Sequence, residues 1–247
     1  MDEKEMLKVG ADAAIAPIKD VINRLFGPFA DELGGLMADP IRVWRFQRSL
    51  KLFEKVARLS AARGIELKAV PLKTILPILE NASVEEDEDL HNRWANLLAN
   101  SAIDSNRVLS FFPDALKRLG PIEARLLDYI HAVTSEFSKR SFGSLQKLRE
   151  EDLTVHSFSK ILEVYEEIVG AVPPVPPVGW DAFTKPHVFN KPHEGPCLAT
   201  LEVLVALGLV RAIPDPNGVV SPTQLSYRTT ALGMQFVEAC RTPKQPT

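Results

Sequence analysis

The feature that most constrains the fold is a long helical pattern between Asp39 and Gly64. Asp39 followed by Pro40 is typical of a helix start, and Gly64 is typical of the residue that ends one. The apolar residues in between form two neighbouring stripes at helical spacing: Ile41, Trp44, Leu52, Val56 and Leu59, and Phe46, Leu50, Phe53 and Ala57. Because a helix so widely apolar must be covered on several sides, the pattern predicts a helical bundle around it.

The remaining face of this helix is basic. Six cations recur at spacings of three and four, namely Arg42, Arg45, Arg48, Lys51, Lys55 and Arg58. Such a run is typical of a solvated face paired with acids, and it is also the candidate site for a protein partner or nucleic acid. An acidic turn at residues 85–89 follows, in a helix predicted to begin at a capping box of Ser83 and Glu86. Only a short helical piece bracketed by Pro71 and Pro77 intervenes, so we expect the basic face to pair with the acidic turn.

Helical patterns continue the bundle to Gly170, with a break predicted at Gly120-Pro121. The charged residues 135–152 predict a loop or a weakly held helix, and a helix is expected over residues 154–170. Composition then changes, because residues 171–196 contain seven prolines and cannot continue a helix. This stretch predicts an irregular connection.

The end of the chain has a different pattern. It predicts a helix over residues 197–207, strands over 209–213 and 225–228, and a last helix over 231–240 capped by Thr229 or Thr230. A helix followed by a two-stranded wing resembles half of a winged helix. The predicted fold is therefore mainly α, a helical bundle followed by a small winged-helix-like α+β module, with these parts: residues 1–38, an amphipathic N-terminal helical segment; 39–170, the bundle; 171–196, the Pro-rich connection; and 197–247, the winged-helix-like module.

Composition limits the class of protein and its surroundings. The chain has 247 residues, 45% hydrophobic and 25% charged, with a formal net charge of −3, which indicates a globular protein without bulk basicity. Cys197 and Cys240 are too few for a disulfide framework, the first residues are acidic where a secretory signal is basic, and no apolar stretch reaches the roughly 18–20 residues of a spanning helix. We therefore expect a cytoplasmic location. The segment 1–38 either packs on the body or acts as an amphipathic arm in membrane association or oligomerisation.

The common catalytic motifs are missing from the sequence. It contains no phosphate-binding glycine loop, no Gly-x-Ser-x-Gly elbow and no His-Glu-x-x-His helix. His187, His193 and Cys197, with Glu194 beside them, match no standard zinc spacing, so we predict that they bind no metal. A loose set of Asp87, His91 and Asp104 is conceivable in a nuclease, but His91 is more typical of a partly buried helix residue. We therefore expect no enzymatic activity, no cofactor and no small-molecule substrate.

Several blocks of sequence carry a resemblance to a known family. They are Pro71-x-Lys73 to Pro77, Leu79-Glu80-Asn81-Ala82-Ser83, Trp94-Ala95-Asn96-Leu97-Leu98-Ala99-Asn100, Trp44-Arg45-Phe46, Leu116-Lys117-Arg118-Leu119 ahead of Ile122 to Leu127, and Thr230-Ala231-Leu232-Gly233-x-x-Phe236-x-x-Ala239-Cys240. With them, most of residues 40–240 resembles the abortive-infection alpha (Abi-alpha) family of bacterial proteins. The resemblance implies a role in phage defence, in which an infected cell is halted or killed before the phage matures, and it implies no mechanism.

Three functional hypotheses follow. The first is a non-enzymatic binding or effector protein of antiphage defence, acting through a membrane or through self-association. The second is a nucleic-acid-binding regulator that uses the winged-helix-like module and the basic helix 39–63. Residues 199–207 are almost wholly apolar and offer only Glu202, which favours a module used in packing or dimerisation. The third is a toxin-like nuclease built on His91 and scattered acids.

Overall fold

The computed structural model describes residues 20–25, 40–105, 108–141, 157–170, 193–213 and 225–244. Within these ranges the chain is mostly helical, with one two-stranded antiparallel sheet near the C-terminus. The predicted mainly α class is therefore confirmed. Two compact units are formed, the first from residues up to Arg118 together with those from Glu238 onward, and the second from Leu119 to Val237.

The first unit contains four helices among its described residues, besides a helical turn at residues 20–25. They are α1 (Pro40–Arg63), α2 (Leu72–Ala82), α3 (Glu88–Ile103) and α4 (Phe112–Lys117). The start of α1 at Pro40 and its end before Gly64, which has a positive φ of 61°, agree with the predicted signals. The turn at residues 20–25 buries Val21 and Leu25, and the carbonyl of Leu25 accepts a hydrogen bond from the amide of Val70 at 3.1 Å. The other residues of the predicted segment 1–38 lie outside the described ranges.

The core of the first unit comes from one face of each helix. Its largest fully buried side chains include Leu52, Ile75, Ile78, Trp94, Leu97, Leu98, Phe112 and Leu116. Each side chain of this size contributes about 1.5–3 kcal/mol by leaving water. The predicted apolar stripes of α1 are confirmed at Leu52, Phe53 and Val56, which are buried. The side chains of Ile41, Trp44 and Phe46 lie outside the described part.

Two predicted details around α2 are wrong. Pro77 does not end the helical piece but lies inside α2, where the cost of its missing N–H is offset by the burial of Ile75 and Ile78. Ser83 does not begin the next helix either. Its hydroxyl donates to the carbonyl of Glu80 at 2.7 Å and so closes α2, whereas α3 is capped by Asp87, whose carboxylate accepts the amide of Leu90 at 2.9 Å.

The second unit contains the remaining described elements. They are α5 (Pro121–Ser141), α6 (Phe158–Val169), α7 (Glu194–Ala206), β1 (Val210–Ile213), β2 (Ser226–Thr229) and α8 (Ala231–Ala239), the last two residues of α8 belonging to the first unit. The predicted break at Gly120-Pro121 is confirmed. Of the charged residues 135–152, for which a loop or a weakly held helix is expected, those up to Ser141 belong to α5, and residues 142–152 lie outside the described ranges. Strands β1 and β2 pair with Val210 opposite Thr229 and Ile213 opposite Ser226.

The start of α8 explains part of a family block. The hydroxyl of Thr230 accepts the amide of Gly233 at 2.9 Å and donates to the carbonyl of Gly208 at 2.6 Å, so Thr230 is the N-cap and Thr229 is not. A Cβ at Gly233 would overlap the carbonyl oxygen of Leu209. Only glycine lets the helix approach the chain before β1 so closely.

The predicted division of the chain differs from the compact units. The units separate after Arg118 rather than after Gly170, and the last residues return to the first unit. The Pro-rich connection was predicted to reach Pro196, but α7 begins at Glu194 and holds Pro196 in its first turn, where a missing N–H is tolerated. Residues 171–192 of that connection lie outside the described ranges, and the winged-helix detail of residues 197–247 stays a prediction.

Candidate functional site

Of the six predicted partner-binding cations of α1, the five whose side chains the structure describes differ in exposure and in their contacts. The side chain of Arg42 lies outside the described part. Arg45 is exposed and turns toward the end of α2, where its Nε donates to the hydroxyl of Ser83 at 3.0 Å and its Nη2 lies 3.5 Å from the carbonyl oxygen of Glu80. Arg45 therefore connects α1 to α2.

Lys55 points inward, toward α3. Its ammonium group is 2.6 Å from the carboxylate of Glu88 and 2.7 Å from Nδ1 of His91. The side chain of Lys55 is 14% exposed and that of Glu88 is 69% exposed, so the ion pair lies at the edge of the α1–α3 contact. The predicted pairing of the basic face with the acidic turn is confirmed at this position.

His91 is buried beside this ion pair. Its pKa is lowered to about 4, chiefly because burial disfavours the charged imidazole and further because of the positive charges of Lys55 and Arg48, against the opposing effect of Glu88. His91 is therefore neutral at pH 7. Its Nδ1 accepts from the Lys55 ammonium, which leaves the ring proton on Nε2.

The remaining members of the basic face differ in exposure. Lys51 and Arg58 are exposed, and Nε of Arg58 lies 3.4 Å from the carbonyl oxygen of Glu54 one turn earlier. Arg48 is half-buried, and its charge lowers the pKa of both His91 and Glu88. The outward part of the site is thus formed by Arg45, Lys51 and Arg58.

The nuclease-like set of Asp87, His91 and Asp104 is not assembled. Asp87 caps the N-terminus of α3, and Asp104 is the residue after its C-terminus. With a rise of about 1.5 Å per residue, the two acids are separated by roughly 25 Å along the helix axis. The structure therefore excludes a joint action of these three residues in one copy of the chain.

The structure contains a second polar contact that the sequence analysis did not find, formed by donors of α1 and α3 with main-chain carbonyls near the chain end. Nδ2 of Asn100 donates to the carbonyls of Ala239 and Arg241, both at 2.9 Å, and Nδ2 of Asn96 donates to the carbonyl of Cys240 at 3.1 Å. Nη1 of Arg63, at the end of α1, donates to the carbonyl of Pro243 at 2.7 Å. We call Asn96, Asn100 and Arg63 the carbonyl clamp, and residues 238–244 the C-terminal segment.

The carbonyl clamp joins two of the family blocks. Asn96 and Asn100 belong to the Trp94–Asn100 block, and their acceptors Ala239 and Cys240 end the block that begins at Thr230. A signal for this contact is present in the sequence, because two asparagines four residues apart lie on one face of an apolar helix. A buried amide on such a face needs hydrogen-bond partners, but the pattern does not identify them.

The structure describes the residues considered as metal ligands except His187, which lies outside the described ranges. Cys197 is fully buried in α7, and burial raises the pKa of its thiol to about 12, with a further contribution from Glu166. His193 precedes α7 and its ring lies 6.4 Å from that of Tyr165. Among the described residues, no three side chains of His, Cys, Asp or Glu are arranged to hold a metal ion.

Comparison with known proteins gives one match. A family model described as abortive infection alpha matches residues 45–240, which include α2 to α8, most of α1, and Asn96 and Asn100 with their acceptors Ala239 and Cys240. No curated protein and no solved structure matches the chain.

Proposed function

Because the chain belongs to the abortive infection alpha family, we propose that it is a binding or effector protein of bacterial antiphage defence that acts by self-association and without enzymatic chemistry of its own. The family match carries the defence role, since it covers both compact units. The described side chains support the rest of the proposal.

Three described side chains suited by type to acid–base or nucleophilic chemistry are buried in unreactive forms. His91 is neutral and 1% exposed. Burial raises the pKa of Cys197 and of Tyr227 to about 12 each, so both keep their protons at pH 7. A catalytic group must reach a substrate, and its pKa normally lies near the working pH. These three residues favour a structural role.

Exposed apolar side chains support contact with another protein chain. Leu72 and Leu76 lie one turn apart on α2, and Val203 and Val205 lie on α7, all four more than a third exposed. Leu72 and Leu76, four residues apart, lie on one face of α2, and neighbouring apolar side chains at a surface are typical of interaction sites. Self-association is the mode of action that needs no further component.

The defence role is tested in bacteria that express the chain. We expect fewer phage plaques and, at high phage dose, infected cells that stop growing before they release progeny. Survival of the infected cells with normal growth would contradict abortive infection, and unchanged plaque counts at a verified protein level would contradict any defence role.

The proposed absence of enzymatic activity is tested with a substitution at His91. His91→Gln removes the imidazole but retains an acceptor for the Lys55 ammonium, so the fold is expected to remain. We expect this variant to protect cells as the unchanged chain does. Loss of protection at an unchanged unfolding midpoint, together with metal-dependent degradation of RNA or DNA by the unchanged chain, would establish the nuclease alternative.

Membrane association through residues 1–38 is the other mode of action. None of the helices in the described ranges combines the length and the apolar character needed to cross a membrane. The test compares leakage of anionic lipid vesicles caused by the full chain and by a chain without residues 1–38. We expect no leakage from either, whereas leakage from the full chain alone would replace self-association by membrane action.

Nucleic-acid binding is a second candidate because Lys51 and Arg58 remain exposed on α1. Binding of this kind weakens steeply as salt increases. We expect no salt-sensitive binding of duplex DNA or RNA. If such binding occurred and were lost in a Lys51→Glu, Arg58→Glu variant but kept in Lys73→Glu, a control at an exposed lysine of α2, the regulator hypothesis would replace the present one.

A further inference from the structure

Two arginines meet on one face of the two-stranded sheet of the second unit. Strands β1 and β2 pair in a register that places Arg211 directly opposite Arg228, so both side chains lie on the same face of the sheet. The other face belongs to the core, because it carries the buried residues Val210, Tyr227 and Thr229. We call Arg211 and Arg228 the arginine pair.

The hydrogen-bond pattern brings the arginine pair close together. The amide of Thr229 donates to the hydroxyl of Thr134 at 3.2 Å, so Thr229 turns its main-chain groups away from β1. The preceding residue, Arg228, therefore turns its own toward β1 and exchanges main-chain hydrogen bonds with Arg211. The Cα atoms of such a pair are about 5.5 Å apart.

Two positive charges in this arrangement repel each other. Arg211 is exposed and Arg228 is half-buried. The pKa of Arg228 is lowered, chiefly by burial and further by the charge of Arg211, although both guanidinium groups stay protonated at pH 7. Like charges directly opposite each other on paired strands reduce stability. A carboxylate placed between the two groups would remove this repulsion and accept hydrogen bonds from both.

The small number of cations favours a protein carboxylate over a nucleic acid as the partner. Proteins that bind DNA through its phosphates typically neutralise about 6–10 of them, whereas the arginine pair can neutralise about two. Helix α7, which packs against β1, contains no Lys or Arg between Glu194 and Ala206, and its Glu202 is exposed. A run of phosphates across this region would meet the Glu202 carboxylate, but a single acidic side chain would not.

We propose that the arginine pair binds an acidic side chain of a partner protein, whose carboxylate lies between the two guanidinium groups. Ile213 and Ser226 are opposite each other on the same face of the sheet and add an apolar side chain and a hydroxyl beside this site. The inference goes beyond the proposed function, because binding of an acidic partner here does not require self-association.

The binding test uses a fluorescein-labelled hexaglutamate peptide and the full chain, with fluorescence anisotropy as the readout. We expect saturable binding at low salt, weakened at least fivefold by Arg211→Gln and by Arg228→Gln. Lys160→Gln, at an exposed position of α6, and Lys51→Gln, on the basic face of α1, each remove one charge as well, and we expect them to weaken binding less than twofold. Arg211→Lys keeps the charge but not the planar fork, so its loss should be intermediate.

Thermal unfolding without peptide gives a second readout. At low salt, Arg211→Gln should raise the unfolding midpoint by about 1–3 °C because it removes the repulsion between the two arginines. This rise should shrink as salt increases. Arg211→Lys retains the repulsion and should leave the midpoint unchanged. An arginine that only stabilised the sheet would behave in the opposite way, with a lower midpoint for Arg211→Gln.

Four results would overturn the inference. They are the absence of saturable hexaglutamate binding by the folded chain, equal weakening by all four glutamine substitutions, a lower midpoint for Arg211→Gln, and tighter binding of duplex DNA than of hexaglutamate that is lost in Arg211→Gln. The last result would assign the arginine pair to a nucleic acid instead. Self-association is measured separately by light scattering, so it stands or falls independently of this site.

Discussion

Two polar contacts of the first unit differ in chemistry and in what they hold. The contact of Lys55 with Glu88 and His91 is charged and joins α1 to α3, and its carboxylate is largely exposed. In the carbonyl clamp, the neutral amides of Asn96 and Asn100 on α3 donate to carbonyls of the C-terminal segment, and Asn100 is buried. Water can replace a lost partner at an exposed carboxylate but not at a buried amide. The clamp should therefore matter more for stability, and the charged contact more for the response to pH.

The largest expected loss of stability comes from a core substitution in α3, and the effects of changes at both contacts are compared with it. Trp94 is 1% exposed and is the largest of the fully buried side chains of α3, the helix that contributes to both contacts. Trp94→Ala should lower the free energy of unfolding by about 3–5 kcal/mol, as aromatic truncations in cores do. The measurement is the denaturant midpoint and slope. A loss below about 1 kcal/mol would mean that α3 is not a core helix, and neither contact could then be placed as described.

The charged contact should make stability depend on pH. The pKa of His91 is lowered from 6.5 to about 4, so the unfolded chain takes up a proton at a higher pH than the folded protein does. Stability is therefore fully present above about pH 6.5 and decreases as pH falls toward 4, by about 3 kcal/mol in total. The pKa of Glu88 is also lowered, chiefly through its hydrogen bond with Lys55, so its contribution is lost in the same direction as pH falls below 4.5.

The test is the free energy of unfolding measured by denaturant between pH 4 and pH 7. His91→Gln, which cannot take up a proton, should flatten the curve between pH 6.5 and 4. Equal slopes for the variant and the unchanged chain would show that His91 is not held as a buried neutral ring.

The carbonyl clamp should respond to substitution but not to pH in this range. Asn100→Ala removes the amide that donates to the carbonyls of Ala239 and Arg241. It should lower the free energy of unfolding by about 2 kcal/mol, because these carbonyls lose a hydrogen-bond partner. Asn100→Asp keeps the size but replaces donors by acceptors that face carbonyl oxygens, so it should cost at least as much. Asn92→Ala is the control, with an expected change within about 0.5 kcal/mol. A harmless Asn100→Ala would mean that the end of the chain is not held by this amide.

The same comparison explains which contacts of the structure could be predicted from the sequence. The pairing of the basic face with the acidic turn was predictable because only the short α2 separates α1 from α3, so charge pattern and short connections suffice. The clamp was not predictable, since helix periodicity is a local signal and the partners of Asn100 lie 139 and 141 residues away.

The wrong details have a similar cause. Ser83 and Asp87 are both good N-cap residues, and which of them caps α3 depends on the hydroxyl of Ser83 being used by Glu80 and Arg45. Pro77 inside α2 shows that a strong local helix breaker does not always end a helix, whereas Pro196 lies in the first turn of α7, where its missing N–H is tolerated.

The smallest expected loss of stability concerns Arg45, on the same helix as Lys55 but at an exposed position beside the end of α2. Arg45 is exposed and bonds to Ser83 and to the carbonyl of Glu80, groups that water can also satisfy at the surface. Arg45→Ala should therefore cost well under about 1 kcal/mol, and Lys51→Ala, at another exposed position, should cost no more. Both are measured as denaturant midpoints beside Trp94→Ala. If Arg45→Ala were the more damaging change, the assignment of core and surface on α1 and α3 would be wrong, and the basic face would have to be regarded as a buried or functional site.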